Sequence, residues 1–554
     1  MTVVSDSARV DGRLGRSVHR ATEAAAVWVS PARVVAVVLA AIPAIRMTLL
    51  VREGTRVPFA DYWMMLPSFL RSDGWLNIGG LGEMRNEHPL VLPKVLYWLN
   101  ALAFDGNNIT LGYFVVFVVV AQVIVIGLLV RDTQTLHRWS KVAVVVAASA
   151  LLFSRQGAWN FLKSMSGAGW LTANLFALAT LIAHRRGHRV LALCLAVLAT
   201  LSYGSGLAVF PALILMSLLS DGIRRTWPTI GVTAFVFAGY LAIRMSGKAG
   251  HESANGATQA AKNAATVIGA FFTGSSDGPA PEIGFACIVV GVILAAVLLR
   301  RGRPDEVAWV GMFVYALGAV GLIAVARTTF LSDFASSRYA SLAALVWLSV
   351  FAMALIVLSE VRVAALLALP LIVGSWAAGS AAVGSITSEI SGQDQLSIAL
   401  SIDRASGSTL WTVFQRFPDL DPTLRSTGHL PFDGTDLGCG LFGERLRSIA
   451  RDSEVDWGEL SDVTPLDPTR LNATNVRGEV ATSRGPIRCV VVTDDQDRVV
   501  GAASTGTRRE GFMKFDRPGF VRFRGLAQPG VEGLRVYVRV GDDESFHRLP
   551  AAGS

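Results

Sequence analysis

Long apolar runs alternate with short polar loops from residue 33 to residue 382. A helix needs about 20 mostly apolar residues to cross the hydrocarbon core of a bilayer. About eleven segments approach that description: 33–51, 109–130, 140–154, 166–183, 189–203, 206–220, 227–244, 283–299, 306–326, 337–358 and 361–382. The pattern therefore predicts a polytopic α-helical membrane domain over residues 33–382, which follows a polar N-terminal segment of residues 1–32.

The last third of the chain returns to the mixed composition of a water-soluble domain. Residues 383–485 predict a mixed α/β region. Over residues 486–554, short segments bounded by turn residues are typical of a β-sandwich. The predicted strands are 487–492, 498–503, 511–515, 520–524 and 534–540.

Composition and charge support the membrane interpretation. Hydrophobic residues make up 52% of the chain and charged residues only 17%, whereas soluble domains carry roughly 25% charged residues. The net charge of +8 does not indicate a nucleic-acid partner, because much of the basic charge lies in short loops between apolar runs. In that position, basic residues set the orientation of a membrane protein.

The distribution of basic residues predicts the topology. Short basic loops occur at every second turn, and they contain Arg131, Arg185, Arg224, Arg300 and Arg362. The positive-inside rule places these loops and the N-terminus in the cytoplasm, and the long first loop, residues 52–108, outside. The alternation requires that residues 89–104 form an amphipathic surface helix and that residues 262–273 form a surface or re-entrant segment. The C-terminal domain is then extracytoplasmic, on a multi-pass protein of the plasma membrane.

Cysteine usage leaves one question open. Cys439 and Cys489 lie in the C-terminal domain and could pair in an oxidising compartment, but sequence alone does not decide whether they do. Cys194 and Cys287 lie inside apolar runs, where cysteine behaves as a small core residue. No cysteine or histidine spacing resembles a zinc site.

The first outer loop is long and rich in aromatic and polar residues, which is typical of a functional loop. Asp61 lies about ten residues after the first predicted helix, followed by Tyr62 and Trp63. A carboxylate in this loop could act as a general base that takes a proton from an attacking hydroxyl. The alternative interpretation is that Asp61 caps a short helix.

A second polar group follows in the same loop and consists of Glu83, Arg85, Glu87, His88 and Lys94. Glu83 and Glu87 are four residues apart and would share one face of a helix. We predict that the group binds the donor or the acceptor, and the alternative is that Glu87 and His88 cap the helix that begins near Pro89. For cofactors, two alternatives stay open: none, or a divalent cation held by Asp61 and Glu87.

The loop after the ninth predicted helix contains Arg327, Arg338 and Tyr339. Guanidinium groups bind phosphate through paired N–H donors, so this loop is a candidate phosphate site at the membrane surface. The alternative is that its arginines only extend towards lipid headgroups. Further basic residues near the same face are Arg46, Arg155, Lys163 and Arg244.

Aromatic residues gather near the same boundary and include Trp63, Trp159, Trp170 and Tyr203. Such rings could stack on sugars, and we include Trp63 and Trp170 among the candidate substrate-binding residues. The alternative is an aromatic belt that anchors the protein at the membrane interface.

This arrangement resembles the GT-C superfamily of membrane glycosyltransferases, which have many transmembrane helices and a large first extracytoplasmic loop with a catalytic acidic residue. Asp61 matches that position, although Ala60 stands where the family often has a second adjacent acidic residue. Arg327 and Arg338 match the place where such enzymes hold the donor phosphate. The C-terminal domain is similar to the carbohydrate-binding modules of actinobacterial cell-wall arabinofuranosyltransferases.

The resemblance implies an inverting enzyme. It would move a sugar, arabinofuranose or mannose, from a polyprenyl-phosphate donor to a cell-envelope glycan or glycolipid at the outer face. Asp61 would be the base, and Arg338 would hold the departing phosphate. Three alternatives stay open: a flippase or transporter of lipid-linked precursors, a polymerase or ligase of lipid-linked glycans, and a structural membrane protein with a binding module.

Overall fold

The computed structural model describes most of the membrane domain and the strands of the C-terminal domain. The described residues are 31–52, 54–56, 58, 60–84, 88–246, 256–276, 278–326, 337–359, 361–377, 379, 382–383, 386, 398–399, 402, 437–447, 457–466, 472–481, 487–505, 520–541 and 545–550. All structural statements below refer to these residues.

The described part of the N-terminal two thirds is helical, as the apolar pattern predicts. Its helices are α1 (Pro31–Arg52), α2 (Ala60–Phe69), α3 (Ile78–Leu81), α4 (Val91–Phe104), α5 (Asn108–Asp132), α6 (Arg138–Leu152), α7 (Ala158–Leu162), α8 (Ser164–Arg185), α9 (Arg189–Ser202), α10 (Val209–Asp221), α11 (Ile223–Ser246), α12 (Ala257–Thr273), α13 (Ala280–Arg301), α14 (Pro304–Ala326), α15 (Ala340–Leu358) and α16 (Val361–Ala377). Short 3-10 helices at Arg155–Gly157, Gly204–Ala208 and Ser337–Tyr339 lead into α7, α10 and α15.

Nine of the described helical segments are long and apolar enough to cross a bilayer. They differ in how far they are buried, and we call the most exposed segments the outer tier. The segments Ser164–Arg185, Pro304–Ala326 and Ser337–Leu358 are 72–78% buried within the protein, whereas Pro31–Arg52 and Ile223–Ile243 are only 17% and 11% buried. An apolar surface this extensive would associate in water, so the outer tier is compatible with contact with lipid. The prediction of a polytopic helical chain is confirmed at this level.

The expected eleven spans are corrected to nine candidates among the described residues. Predicted spans 189–203 and 361–382 form the shorter helices α9, with 14 residues, and α16, with 17 residues. At 1.5 Å per residue, α9 is only about 21 Å long, which is less than the roughly 30 Å hydrocarbon core. Both apolar runs therefore form helices, but their length alone does not qualify them as membrane-spanning helices.

The segment predicted as a surface or re-entrant piece, residues 262–273, belongs to helix α12. This helix packs closely against α13, and a side chain on Gly269 would lie 1.8 Å from the carbonyl oxygen of Ala280. Such a contact is tolerated only by glycine. Trp347 of α15 donates its indole N–H to the carbonyl of Ile268 at 3.0 Å. Helix α12 is thus embedded among longer helices, with residues 263–271 buried.

One end of the bundle, which we call the basic end, is held by ion pairs between its loops. Arg185 donates to the carbonyl oxygens of Asp305, at 3.0 Å, and of Asp132. Arg186 pairs with the Asp132 carboxylate at 3.1 Å, and Arg189 pairs with Asp221 at 2.5 Å. The C-terminal ends of α5, α8 and α10 are thereby tied together, and the cations also complement the negative ends of these helices.

The described residues of the C-terminal domain form one antiparallel sheet of seven strands. They are β1 (Trp457–Pro465), β2 (Thr474–Ala481), β3 (Ile487–Thr493), β4 (Val499–Thr505), β5 (Phe520–Ala527), β6 (Arg535–Val540) and β7 (Phe546–Arg548), in the spatial order β1-β2-β5-β4-β3-β6-β7. The prediction of a β-rich domain is confirmed, but the expected sandwich of two sheets is wrong for the described strands, because their hydrogen-bonded pairing runs through one sheet. Two of these strands, β1 and β2, lie within the region 383–485 that was predicted as mixed.

The sheet curls so that its two ends approach each other. A side chain on Gly458 of β1 would lie 2.6 Å from Leu549, which follows β7 at the opposite edge. The curvature encloses an apolar core on one face, which includes Val476, Val490 and Val538. Curling thus replaces the second layer of a sandwich, because the sheet covers its own apolar face. The predicted strand 511–515 lies outside the described residues.

The other face of the sheet is covered by the segment 437–447, which a disulfide holds in place. Cys439 is bonded to Cys489 of β3, so the pairing that the sequence left open is formed. Leu446 of this segment packs with Val491 and Tyr537, and its backbone N–H donates to the carbonyl of Asp497 at 3.0 Å. The disulfide therefore joins the covering segment to the middle of the sheet.

Removing this disulfide will destabilise the C-terminal domain. The bond closes a loop with a sequence separation of 50 residues, and a disulfide of this kind contributes about 2–4 kcal/mol, largely by restricting the unfolded chain. We expect the double variant Cys439→Ala/Cys489→Ala to unfold at a lower temperature than the parent, measured on the full chain in detergent. The matched control is Cys194→Ala/Cys287→Ala, which removes the two free cysteines. Equal midpoints for both double variants would contradict the assignment.

Candidate functional site

A cluster of cations and indole rings lies at the end of the bundle opposite the basic end. Its first strip is the segment between α6 and α8, where Arg155, Trp159 and Lys163 follow each other at four-residue intervals. That spacing places side chains on one face of a helical segment. The ammonium nitrogen of Lys163 lies 4.7 Å from the centroid of the Trp159 ring, within the range of a cation–π interaction.

The short helix Ser337–Tyr339 brings a second cation to the same indole. Trp159 donates its backbone N–H to the hydroxyl of Ser337 at 3.0 Å, and Asn160 donates its side-chain amide to the carbonyl of Arg338 at 3.0 Å. These two bonds place the guanidinium carbon of Arg338 5.9 Å from the Trp159 ring and 5.3 Å from the Tyr339 ring. Trp159 therefore contacts two cations from distant parts of the chain.

A second indole and one more arginine adjoin this strip. The guanidinium carbon of Arg46, in α1, lies 3.8 Å from the centroid of the Trp376 ring. Arg46 is also within electrostatic range of Arg155. The hydroxyl of Ser154 donates to the carbonyl of Ser375 at 2.9 Å, which fixes the end of α16 beside the strip. We call these six residues the cation–aromatic cluster: Arg46, Arg155, Trp159, Lys163, Arg338 and Trp376.

Next to the cluster lies an aromatic stack that contains four rings. His88 of the first loop stacks on Tyr203, with 3.8 Å between ring centroids and an angle of 28°. Tyr203 meets Trp170 at 4.0 Å, and Trp170 meets Tyr339 edge to face at 5.6 Å. The rings of Trp170, Tyr203 and Tyr339 are 3%, 8% and 1% exposed. The stack is therefore a packed wall, whereas the four cations of the cluster are partly exposed.

A buried hydrogen-bond network lies directly below the stack. Tyr315 donates its hydroxyl to the side-chain oxygen of Asn174 at 2.7 Å, and Asn174 donates to the hydroxyl of Ser341 at 3.4 Å. Asn174 lies one helical turn from Trp170, and Ser341 follows Tyr339 by two residues. The network therefore connects α8, α14 and α15 beneath the two rings, and it restricts their positions.

Several buried polar atoms around the site have no hydrogen-bond partner among the described residues. They are the amide oxygens of Gln156 and Asn160 and the hydroxyl of Ser205. Leaving a buried polar group unpaired costs about 1–3 kcal/mol, so such atoms usually bind water or a ligand. Gln156 and Asn160 flank Trp159 in the same strip. These three acceptors are buried, so they lie behind the partly exposed cations of the cluster.

Four predicted site residues come together here: His88, Trp170, Arg338 and Tyr339. The backbone of Asp61 lies in the first turn of α2, but its side chain is outside the described part, as are Arg85, Glu87 and Arg327. Five residues of the site lie near the predicted outer face but were not predicted as site residues: Arg46, Arg155, Trp159, Lys163 and Tyr203. The four-residue spacing of Arg155, Trp159 and Lys163 was the available signal. No sequence signal pointed to Trp376 or to the Asn174 network, because their partners are remote in sequence.

Two other predicted binding residues hold the first loop in shape. Trp63 is 4% exposed and donates its indole N–H to the carbonyl of Pro58 at 3.0 Å. Lys94 is 1% exposed, and its ammonium nitrogen donates to the carbonyls of Gly80, at 2.7 Å, and Glu83, at 2.6 Å. The side chain of Glu83 is exposed. These contacts position the chain that leads to His88.

The described residues contain no group of three or more His, Cys, Asp or Glu side chains placed to hold a metal ion. Asp61 and Glu87 were predicted as an alternative metal site. Their side chains lie outside the described part of the chain. The predicted divalent cation therefore stays a prediction.

The comparisons with known proteins supply no family for this chain. No family model, no curated protein and no solved structure matches it. Functional inference therefore rests on the chemistry of the cluster and the stack.

The burial of Lys94 predicts a pH dependence. Burial lowers the pKa of Lys94 to about 8, partly opposed by the Glu83 carboxylate, whereas an unfolded lysine has a pKa of about 10.4. Between these values the unfolded chain binds more protons, so this residue makes the fold more stable as the pH rises. The neutral amine retains two N–H donors for the two carbonyls.

We expect the unfolding midpoint of Lys94→Met to rise less with pH than that of the parent, measured between about pH 7 and about pH 10. Lys262→Met removes an exposed lysine and serves as the control. If the unfolding midpoints of the parent and of Lys94→Met depend on pH in the same way, Lys94 does not have the lowered pKa.

Proposed function

We propose that this protein is a membrane glycosyltransferase that takes its sugar from a polyprenyl-phosphate carrier. The observation that carries the proposal is the position of Arg338, 5.9 Å from the ring of Trp159 and 5.3 Å from that of Tyr339. At that point the cation–aromatic cluster meets the aromatic stack. A phosphate and a sugar that are joined by one bond need such adjacent subsites.

The cluster suits a phosphate that is attached to a lipid. Ionisable side chains at the end of an apolar bundle are costly to desolvate, and such residues mark binding sites for ions and charged groups. Arginine offers paired donors that match phosphate oxygens. Arg46 lies within the apolar helix α1, and Arg338 lies in the short 3-10 helix that leads into α15. A phosphate held between them would leave its lipid chain beside the outer tier of helices.

The aromatic side chains at the exposed edge of the site suit a sugar. Aromatic rings present apolar faces and edges to the C–H groups of a pyranose or furanose ring. The partly exposed indole of Trp159 offers such a face beside the cations, and the unpaired amide oxygens of Gln156 and Asn160 are buried behind it. His88 stacks on Tyr203, and this contact brings the first loop to the same place. Arabinofuranose and mannose are the sugars that we propose.

The proposed chemistry is a single displacement at the anomeric carbon. The oxygen of an acceptor hydroxyl forms the new glycosidic bond while the bond from the anomeric carbon to the phosphate oxygen breaks. The bonding electrons leave with the lipid phosphate, whose charge Arg338 and Lys163 stabilise. Asp61 accepts the proton of the acceptor hydroxyl. The configuration inverts, and the acceptor is a cell-envelope glycan or glycolipid.

For the orientation, we propose that the basic end faces the cytoplasm and that the cluster and the C-terminal sheet face outwards. Two features support this. The loops at the basic end are short and carry eleven cations against four carboxylates, in accord with the positive-inside rule. The disulfide between Cys439 and Cys489 is typical of an oxidising, extracytoplasmic compartment.

A transfer assay tests the proposal. Membranes that contain the full chain are incubated with a panel of labelled polyprenyl-phosphate sugars and cell-envelope acceptors. We expect transfer by the parent and a loss of about 100-fold or more in Arg338→Ala, because a donor that stabilises developing charge contributes on that scale. Asp61→Asn should lose a similar factor, since a general base contributes about 10²–10⁴-fold.

Two matched variants control for charge and folding. Arg71 and Asp73 form an exposed ion pair at 2.7 Å in the first outer loop, which also contains Asp61. Arg71→Ala and Asp73→Asn should therefore retain transfer. Full activity of Arg338→Ala, or an inactive parent with every donor, would contradict the proposal. Activity that survives in Asp61→Asn alone would assign the base to Glu83 or Glu87.

A further inference from the structure

A cavity of about 170 Å³ lies at the basic end, on the opposite side of the bundle from the proposed active site. It is enclosed by the adjoining ends of α8, α9, α10, α13 and α14. His184, Arg185, Arg189, Ser220 and Asp221 form its polar wall. Nothing in the proposed transfer reaction uses these residues, so the cavity needs its own explanation.

The polar wall offers hydrogen-bond donors in fixed positions. Arg185 is held by its bonds to the carbonyls of Asp305 and Asp132, and Arg189 is held by its ion pair with Asp221 at 2.5 Å. A guanidinium has five N–H donors, so each arginine keeps donors beyond these contacts. The ring of His184 lies 3.4 Å from the hydroxyl of Ser220 and is part of the same wall. The single carboxylate of the wall, Asp221, is already neutralised by Arg189.

The remaining wall is apolar and opens towards the lipid-facing surface. Met216, Leu219, Leu299 and Val307 line it. Leu219 is 48% exposed, and next to it on the surface Leu218 is 39% exposed. A ligand in this cavity therefore has its charged part against the arginines and an apolar part among the outer helices.

The surrounding charge favours an anion. The four loop regions of this end, residues 131–141, 184–189, 221–225 and 300–306, carry eleven cations and four carboxylates, a net of 11 − 4 = +7. The cations are Arg131, Arg138, Lys141, Arg185, Arg186, Arg189, Arg224, Arg225, Arg300, Arg301 and Arg303, and the carboxylates are Asp132, Asp221, Asp305 and Glu306. Basic pockets between membrane helices bind anionic headgroups through such an excess.

We infer that this cavity binds the phosphate of an anionic phospholipid from the leaflet at the basic end. The phosphate accepts hydrogen bonds from Arg185 and Arg189 and lies beside Ser220, and the acyl chains leave past Leu219. Because the cavity joins the ends of five helices, the bound lipid acts as a brace between them. Free inorganic phosphate shares the charged part of this chemistry but lacks the acyl chains.

The test uses the full chain, purified in a neutral detergent at about 0.15 M salt, where long-range attraction between exposed charges is screened. Phosphatidylglycerol, phosphatidylcholine and inorganic phosphate are titrated separately. Native mass spectrometry counts the bound lipid, and thermal unfolding measures the shift in the midpoint. We expect phosphatidylglycerol to bind and to raise the midpoint, and the other two to have little effect.

Three variants locate the site. Arg189→Gln removes a donor, and Ser220→Leu fills the cavity without changing the charge. Each should weaken phosphatidylglycerol binding by about tenfold. Arg189→Gln loses a charge-assisted hydrogen bond, which is worth about that factor, and the larger side chain in Ser220→Leu occupies the space of the headgroup. Arg225→Gln removes the same charge from an exposed position outside the cavity and should retain binding within about twofold, because exposed charges are screened.

Equal stabilisation by inorganic phosphate would overturn the assignment of a lipid. An equal loss in Arg225→Gln and Ser220→Leu would overturn the location, because it would indicate general attraction to the basic end. Since Ser220→Leu keeps every charge, unchanged binding in that variant would also contradict the proposal.

Discussion

The structure depends on how the desolvation of cations at the end of an apolar bundle is offset. Charged side chains in such positions are costly, and contact with an indole face offsets part of that cost. Trp159 contacts both Lys163 and Arg338, and Trp376 contacts Arg46. The backbone bond from Trp159 to Ser337 then requires that α7 and the start of α15 lie side by side. The position of the aromatic stack follows from this contact through Tyr339.

The helical part of the fold could be predicted because its signal is local. Each apolar run specifies a helix within itself, so eleven of the sixteen described helices could be predicted without knowledge of their partners. Which of these helices are long enough to span a bilayer became clear only in the structure. The sheet is different. Strands β1 and β2 contain Glu459, Asp462 and Arg477, which interrupt the apolar alternation. Strand β2 pairs with β5 through residues that are 39 to 53 positions apart in the chain. Pairing of that kind cannot be derived from local pattern.

The site was predictable in its chemistry and not in its geometry. Arg338 was selected because guanidinium groups bind phosphate, and His88 was selected as part of a polar group in the first outer loop. Their proximity depends on contacts between residues more than 100 positions apart, such as His88 with Tyr203 and Trp170 with Tyr339. Lys94 was selected by the same reasoning, yet its ammonium group is used by two backbone carbonyls. A charged residue in a loop can support the loop or serve a ligand, and only burial and partners distinguish the two roles.

The central claim is that the cation–aromatic cluster holds a lipid phosphate. The most direct test is photo-crosslinking of the full chain with a polyprenyl-phosphate sugar that carries a photoreactive group next to the phosphate. Peptide mapping should place the label within residues 155–163 and 337–339, and an excess of unlabelled donor should remove it. Labelling that is confined to the cavity at the basic end, or that unlabelled donor does not displace, would contradict the account.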